Sequence, residues 1–210
     1  MKRAPLTKRS AAPGQRSAAC GGAGGLALLA ARGVLGGYLA AHGAQKLFGA
    51  FGGHGMGPTV AAFDRLGLRP APVMARVAAV SELAGGVLTA VGAAHPLGPV
   101  AIAGTMVVAS STHRANGAFA ANRGFELPLT NMAAALALAV VSPGRCSVDG
   151  LTGRSLPRPA ARLVIAAAAT SAAACLSMVL RAKPAPKTST PIEAKDAHAP
   201  KASEEAVTRA

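Results

Sequence analysis

The sequence predicts an all-α fold, a polytopic transmembrane helical bundle with a four-helix core and a fifth helix. Of its 210 residues, 51% are hydrophobic and only 14% are charged, whereas a soluble domain carries about 25% charged residues. Apolar runs recur along the chain at lengths near the ~20 residues that cross a bilayer as a helix. Helices are expected because backbone polar groups in lipid must be bonded within their own segment.

The chain divides into four regions. Residues 1–24 are basic and rich in Ala, Gly and Pro, and residues 183–210 mix Lys, Pro, Ser, Thr and Glu. Both tails are predicted to be disordered because they offer little apolar surface to bury. Residues 25–150 are predicted to form the four-helix membrane domain, and residues 151–182 a loop and an additional apolar helix.

The first span is predicted from about Leu26 to Phe48. Its Gly33 and Gly37 make a small-xxx-small pair, which favours close contact with another helix. The loop over 49–72 holds one short helix, predicted to lie along the membrane surface. Pro58 suits its first turn and Gly67 its end, and its apolar stripe is Val60, Phe63 and Leu66.

Three further spans follow, and then a fifth apolar segment. The second span is predicted over Val73 to Ala93, with Gly85-Gly86 as its close-packing site; the third covers 97–116 and the fourth 128–141, which Pro143-Gly144 terminates. The fifth segment, 163–180, is mostly Ala and Ser, which add little to membrane insertion. Its apolar length favours a spanning helix, and the alternative is a segment that stays on the membrane.

Basic residues predict the orientation. Lys and Arg concentrate in the first 24 residues and in the loop after the fourth span, and such residues favour the cytoplasmic side. We therefore expect a multi-pass protein of the cell inner (plasma) membrane with a cytoplasmic N-terminus. The net charge of +14 does not indicate nucleic-acid binding, since no aromatic stacking platform accompanies it.

Polar residues within the spans define the candidate site. His42, Gln45 and Lys46 close the first span at i, i+3 and i+4, which places them on one side of a helix. The predicted topology brings polar groups of three other spans to the same depth, in the outer half of the bundle, and leaves the inner half almost purely apolar. The full candidate cluster is His42, Gln45, Lys46, Glu82, His113, Arg114 and Asn131.

Structural interpretations compete with a functional one. Glu82 can simply neutralise Lys46, Arg76 or Arg114, because charges within a membrane must pair. The histidines can act as hydrogen bonds between helices, and we expect no metal because His42, His54 and His113 lack local ligand spacing. Glu126 is expected to cap the fourth helix, and Arg145 with Asp149 to pin the next loop. The cysteines, which form no CxxC, are expected to be ordinary thiols: Cys20, Cys146 and Cys175.

Four motifs in order resemble the DoxX family of small bacterial membrane proteins. They are residues 42–49 (HGAQKLFG), 81–86 (SELAGG), 124–129 (GFELPL) and 143–149 (PGRCSVD), within a resemblance over about 26–150. The resemblance implies a four-helix membrane bundle. Some relatives are subunits of thiosulfate:quinone oxidoreductase, and others associate with redox or thiol-handling enzymes.

The leading hypothesis is an accessory membrane subunit, not an enzyme by itself, of a redox or oxidative-stress complex. The polar cluster would contact a quinone headgroup or a partner redox protein, with His42 and Gln45 bonded to carbonyl oxygens and Glu82 holding a proton. A small-solute transporter and a purely structural scaffold are the alternatives. The expected partners are the lipid bilayer and that redox protein, and the sequence leaves open whether the protein also forms a homo-oligomer.

Overall fold

The computed structural model describes residues 22–154 and 156–181, without the side chains of 171, 175 and 179. The predicted tails at 1–24 and 183–210 therefore lie almost wholly outside the described residues. Within the described ranges the chain forms helices and no strand, which confirms the all-α prediction. The helices are α1 (Ala23–Phe48), α2 (Met56–Arg65), α3 (Ala71–Val91), α4 (Leu97–His113), α5 (Glu126–Val140), α6 (Val148–Thr152) and α7 (Arg158–Arg181).

The helices differ in their capacity to cross a bilayer. Among the described helices, α1, α3 and residues 158–178 of α7 are long and apolar enough to do so. α4 has 17 residues and α5 has 15. At about 1.5 Å per residue, both are shorter than the ~30 Å hydrocarbon core. The fifth apolar segment is a continuous helix, as its composition predicts.

Glycine allows the close packing of α1 on α3, but at different positions from those predicted. A Cβ atom at Gly36 would collide with the backbone of Ala90, and one at Gly43 with the backbone of Leu83. The prediction for Gly33 and Gly37 was wrong, since both are exposed and no atom of the described residues lies within 4 Å of a Cβ added there. Successive residues point ~100° apart around a helix, so a shift of one residue selects another face.

The Gly85-Gly86 pair is a close-packing site, as predicted, and each of the two glycines packs against a different helix. A Cβ at Gly86 would meet the α1 backbone at Ala40, whereas one at Gly85 would come within 3.2 Å of the Ala101 side chain of α4. α3 is thereby held between α1 and α4. The hydrophobic core lies among α1, α4 and α5 and consists of Leu35, Leu39, Ile102, Ala103, Met106, Ala135 and Leu138.

The end of the bundle where α1 begins, called the loop end here, is held together by a buried arginine. Arg32 is only 4% exposed; its Nη1 donates to the Pro143 carbonyl at 2.6 Å and its Nη2 to the Cys146 carbonyl at 2.7 Å. The prediction of an almost purely apolar inner half was therefore wrong. A charge here is tolerated because the guanidinium bonds backbone carbonyls of the loop that follows α5.

Asp149 holds the same loop against the end of α3. Its carboxylate accepts hydrogen bonds from the backbone N–H groups of Ala94 at 2.9 Å and His95 at 2.8 Å. The predicted role of Asp149 is confirmed, while Arg145 is exposed. The beginning of α1, the end of α3 and the loop after α5 thus meet at one end of the bundle.

Cys146 departs from the expectation of an ordinary thiol. It is disulfide-bonded, and it lies in the loop that Arg32 holds. The other two cysteines of the sequence, Cys20 and Cys175, fall outside the described side chains. An odd number of widely spaced cysteines gives no information on such a bond.

Candidate functional site

A buried ion pair joins α1 and α3 at the opposite end of the bundle, called the polar end here. Nζ of Lys46 contacts both carboxylate oxygens of Glu82 at 2.5 Å. The Glu82 side chain is 5% exposed and that of Lys46 is 30% exposed. Arg76 and Arg114, the alternative partners, are both exposed. Of the three cations considered from the sequence, the structure pairs Lys46 with Glu82.

Close helix packing positions this pair. Lys46 lies in the last turn of α1, three residues after Gly43. At Gly43 the backbones of the two helices approach so closely that a side chain there would collide with α3 beside Leu83. The lysine thereby reaches the adjacent Glu82 across the interface, and the carboxylate is neutralised where water is largely excluded.

One side of the pair borders an apolar cavity of about 390 Å³. This apolar cavity lies between α2, α3, α4 and α7, and its walls include Phe63, Leu68, Val77, Val108 and Ala168. Its polar wall comprises Lys46, Ser81, Glu82, Thr105, Thr112 and His113. The volume falls within the ~300–1,000 Å³ of small-molecule sites.

The apolar stripe of α2 faces this cavity. Phe63 and Leu66 line it, and α2 packs on α3. The sequence predicted that α2 would lie along the membrane surface, but its stripe is used at least partly to form a wall of the cavity. The fold therefore gives an internal role to residues whose periodicity alone is equally compatible with a surface helix.

The other side of the pair borders a polar vestibule of about 320 Å³. This polar vestibule lies between α1, α4, α5 and the loop before α5, and it is lined by Tyr38, His42, Arg123 and Asn131. Lys46, Glu82, Ala109 and His113 line both spaces. The ion pair therefore stands between two spaces with mainly apolar walls, and the vestibule adds the polar groups of His42, Arg123 and Asn131 to its own wall.

The structure brings most of the predicted cluster to this partition. His42 and Asn131 line the vestibule, with the His42 ring edge-on to Tyr38 at a centroid distance of 4.5 Å. The Nδ1 atom of His113 lies 2.9 Å from the Arg123 carbonyl oxygen. These contacts, with the ion pair, draw side chains from α1, α3, α4 and α5 to one place.

Two predicted members lie elsewhere. The amide of Gln45 donates to the Phe51 carbonyl at 3.3 Å and thus supports the turn after α1. Arg114 is exposed in a 3-10 turn beyond α4 and lines neither space. In the described side chains, His, Cys, Asp and Glu form no group of three that could hold a metal ion.

Glu126 caps a turn outside its own helix. It is the first residue of α5, and its carboxylate accepts a hydrogen bond from the Ala120 N–H at 2.9 Å. The prediction that it would cap the fourth helix was therefore inexact, because the bonded N–H belongs to the 3-10 turn at Ala120–Asn122. This bond shapes the loop that supplies Arg123 to the vestibule.

The sequence reasoning missed several of these residues. Arg32 could have been found, since a charge inside a predicted membrane span is a recognised signal. Arg123 gave no signal because it lies in a loop without periodicity. Ala168 of α7 could not be identified, because it is one of many alanines in that segment.

The fold and these polar groups define a small, all-α, multi-pass integral membrane protein. The family model for DoxX matches residues 27–115. The match covers nearly all of α1 and extends through α4, and it confirms the resemblance to this family over that part of the chain. No curated protein and no solved structure matches the chain. DoxX is not a recognised catalytic domain.

Proposed function

We propose that this protein is an accessory membrane subunit of a redox complex and that it contacts a quinone headgroup at the Lys46–Glu82 pair. The observation that carries the proposal is an apolar cavity that borders a largely buried ion pair. A membrane quinone has the matching chemistry, since its body is apolar and its polar groups are two carbonyl oxygens on one ring.

Lys46 retains hydrogen-bonding capacity for such a carbonyl. An ammonium group has three donors, and the two oxygens of Glu82 engage the nitrogen of Lys46. A further N–H remains for a ligand oxygen. His113 borders the same cavity, and its Nδ1–H faces the Arg123 carbonyl oxygen. Nε2 of the neutral ring is then an acceptor, so it suits the hydroxyl of a quinol rather than the carbonyl of a quinone. Gln45, already bonded to Phe51, has no part in this arrangement.

The two-sided position of the pair supports a role in proton supply. When a quinone is reduced to a quinol, each carbonyl oxygen gains one electron and one proton. Glu82 borders both the apolar cavity and the polar vestibule, so a proton arriving from the vestibule side can reach a headgroup on the cavity side. In this proposal the partner redox protein supplies the electrons, and His42 lies on the path of the proton.

Photolabelling with a ring-azido quinone tests the proposal on purified full-length protein in lipid nanodiscs. We expect labelling of peptides from α1, α3 or α4 at the polar end, and a loss of about tenfold in the Glu82→Gln, Lys46→Met double variant, equivalent to about 1.4 kcal/mol. Arg114→Met is the matched control, because it removes a nearby cation that lines neither space. Equal labelling of all three proteins would overturn the proposal.

A further inference from the structure

The polar wall of the apolar cavity contains three hydroxyl groups, and one of them differs from the other two. Thr105 donates its hydroxyl proton to the Ile102 carbonyl at 2.8 Å, and Thr112 donates to the Ala109 carbonyl at 2.9 Å. The half-buried Ser81 of α3 lines the same cavity, and its hydroxyl group makes no hydrogen bond to a described residue. The Ser81 proton is therefore available to a molecule in the cavity.

The free hydroxyl of Ser81 is an exception among the helices of this chain. Serine and threonine in helices can donate to the carbonyl three or four residues earlier. Every other serine or threonine within an α-helix whose side chain the structure describes makes this bond. A hydroxyl group without a partner is costly in apolar surroundings, so an oxygen atom of a ligand beside Ser81 would remove that cost.

The other polar side chains of the cavity wall, apart from Lys46, have no proton to give to a ligand. The Glu82 carboxylate accepts from Lys46. His113 directs its Nδ1–H at the Arg123 carbonyl, and its Nε2 is an acceptor. Among the described side chains of the wall, the free donors are therefore one N–H of the Lys46 ammonium and the Ser81 hydroxyl, and a quinone has two carbonyl oxygens.

We infer that the Ser81 hydroxyl donates a hydrogen bond to the second carbonyl of the quinone whose first carbonyl is bonded by Lys46. Ser81 directly precedes Glu82, and successive residues point ~100° apart around a helix, so the two donors occupy different parts of the wall, as two oxygens at opposite edges of one ring require. A hydroxyl group also accepts, so Ser81 bonds the quinol equally. The inference rests on the proposed function, since it needs a headgroup at Lys46.

Two ring-azido probes that differ by one carbonyl test the inference on full-length protein in lipid nanodiscs. One is a bicyclic quinone, and the other is the same ring system with one carbonyl replaced by a methylene group. The probe concentration that half-saturates labelling measures each affinity. We expect the unsubstituted protein to bind the quinone about fivefold more tightly than the one-carbonyl probe, as one neutral hydrogen bond predicts.

Ser81→Ala should remove this preference by weakening the binding of the quinone alone. The one-carbonyl probe should be unaffected, because the charge-assisted bond to Lys46 is the stronger of the two and takes its single carbonyl. Thr112→Val is the matched control, since it removes a hydroxyl group of the same wall whose proton is already bonded to Ala109; it should retain the fivefold preference. Thermal melting of each protein checks its folding.

Three results would overturn the role of Ser81: a preference that persists in Ser81→Ala, an equal weakening of both probes, or the same loss of preference in Thr112→Val. The proposed function would survive each of them if the Glu82→Gln, Lys46→Met double variant still lost about tenfold in quinone labelling. Equal labelling of the unsubstituted protein and that double variant would overturn both, because no headgroup would then lie at Lys46.

Discussion

Glu82 is the residue on which the polar end depends, because it is an almost fully buried carboxylate with one cationic partner in the described residues. Its environment differs from that of an exposed ion pair, which contributes at most about 1 kcal/mol. It also differs from a fully buried pair, since the Lys46 side chain keeps 30% of its exposure. The cost of breaking the pair should therefore fall between these limits.

Glu82→Gln alone is predicted to lower the free energy of unfolding by about 1–3 kcal/mol, because Lys46 would lose its countercharge. Adding Lys46→Met should restore most of this loss, since no uncompensated charge remains. Thermal melting in detergent measures both effects, and Arg76→Met, at an exposed cation, is the control with little expected change. A complementation assay under oxidative or thiosulfate stress then distinguishes a structural role of the pair from a functional one. Full activity of the stable double variant would show that neither Glu82 nor Lys46 belongs to a functional site.

Arg32 has a comparable position at the loop end, although its partners are carbonyl groups rather than a carboxylate. Among its guanidinium nitrogens, Nε has no hydrogen-bond partner in the described residues. The two bonded nitrogens link α1 to Pro143 and Cys146 at a sequence separation of more than one hundred residues. One side chain therefore holds the loop after α5 against the first helix.

Arg32→Met should destabilise the protein by about 2–4 kcal/mol, because it leaves buried carbonyl groups without donors. Arg32→Lys should recover only part of this, since an ammonium does not reproduce the planar fork of the guanidinium. Melting temperature and the rate of proteolysis within 143–154 report the change. The control is Arg145→Met, an exposed arginine of the same loop; a stable Arg32→Met protein with a protected loop would contradict this account.

At the scale of helices, the contact between α1 and α3 is determined by the face of α1 that carries Gly36, Ala40 and Gly43. Close backbone approach there brings Lys46 to Glu82 at one end and leaves Arg32 buried at the other. A change in the rotation of α1 by one residue would expose both polar contacts. Packing of small residues and placement of charges are thus a single structural feature.

Gly36→Ala is predicted to destabilise the bundle by about 1–3 kcal/mol, because the added methyl group overlaps the α3 backbone at Ala90 and Gly86. Gly33→Ala is the matched control. It adds the same group where no atom of the part of the chain that the structure describes lies within 4 Å. It should be neutral or stabilising by up to ~1 kcal/mol, since alanine favours helices. Melting of the two variants in the same detergent makes the comparison, and equal stability would refute the assigned face.

In the whole molecule, the fold brings together two segments whose basic residues predict a cytoplasmic location. The beginning of α1 and the loop over 143–154 meet at the loop end through Arg32 and Asp149. Cys146 is disulfide-bonded at that end, yet disulfides are rare in the cytosol. The charge distribution and the disulfide therefore favour opposite sides of the membrane.

We predict that the loop end faces the cytoplasm, since basic residues near span ends govern insertion. The test uses Arg154→Cys in an otherwise cysteine-free variant whose folding is checked by melting. A membrane-impermeant maleimide should label it only after cells are opened. With a spanning α7, a reporter after Ala210 that is active only in the cytoplasm should stay silent. Labelling of intact cells would reverse the orientation, and an active reporter would favour four spans.

The class of protein and the order of its helices could be predicted from the sequence alone, because apolar run length, glycine and proline positions and charge content act locally. The need for a partner at Glu82 was equally evident from one carboxylate in an apolar run. These features do not depend on how one helix is rotated against another.

Only the tertiary structure decided which groups meet. Lys46 rather than Arg76 or Arg114 pairs with Glu82, and Gly36 rather than Gly37 contacts α3, because adjacent positions on a helix point ~100° apart. Arg32 reaches a loop more than one hundred residues away, and α7 supplies a cavity wall from an alanine-rich segment. Such contacts depend on helix rotation and long-range packing, which local sequence patterns do not encode.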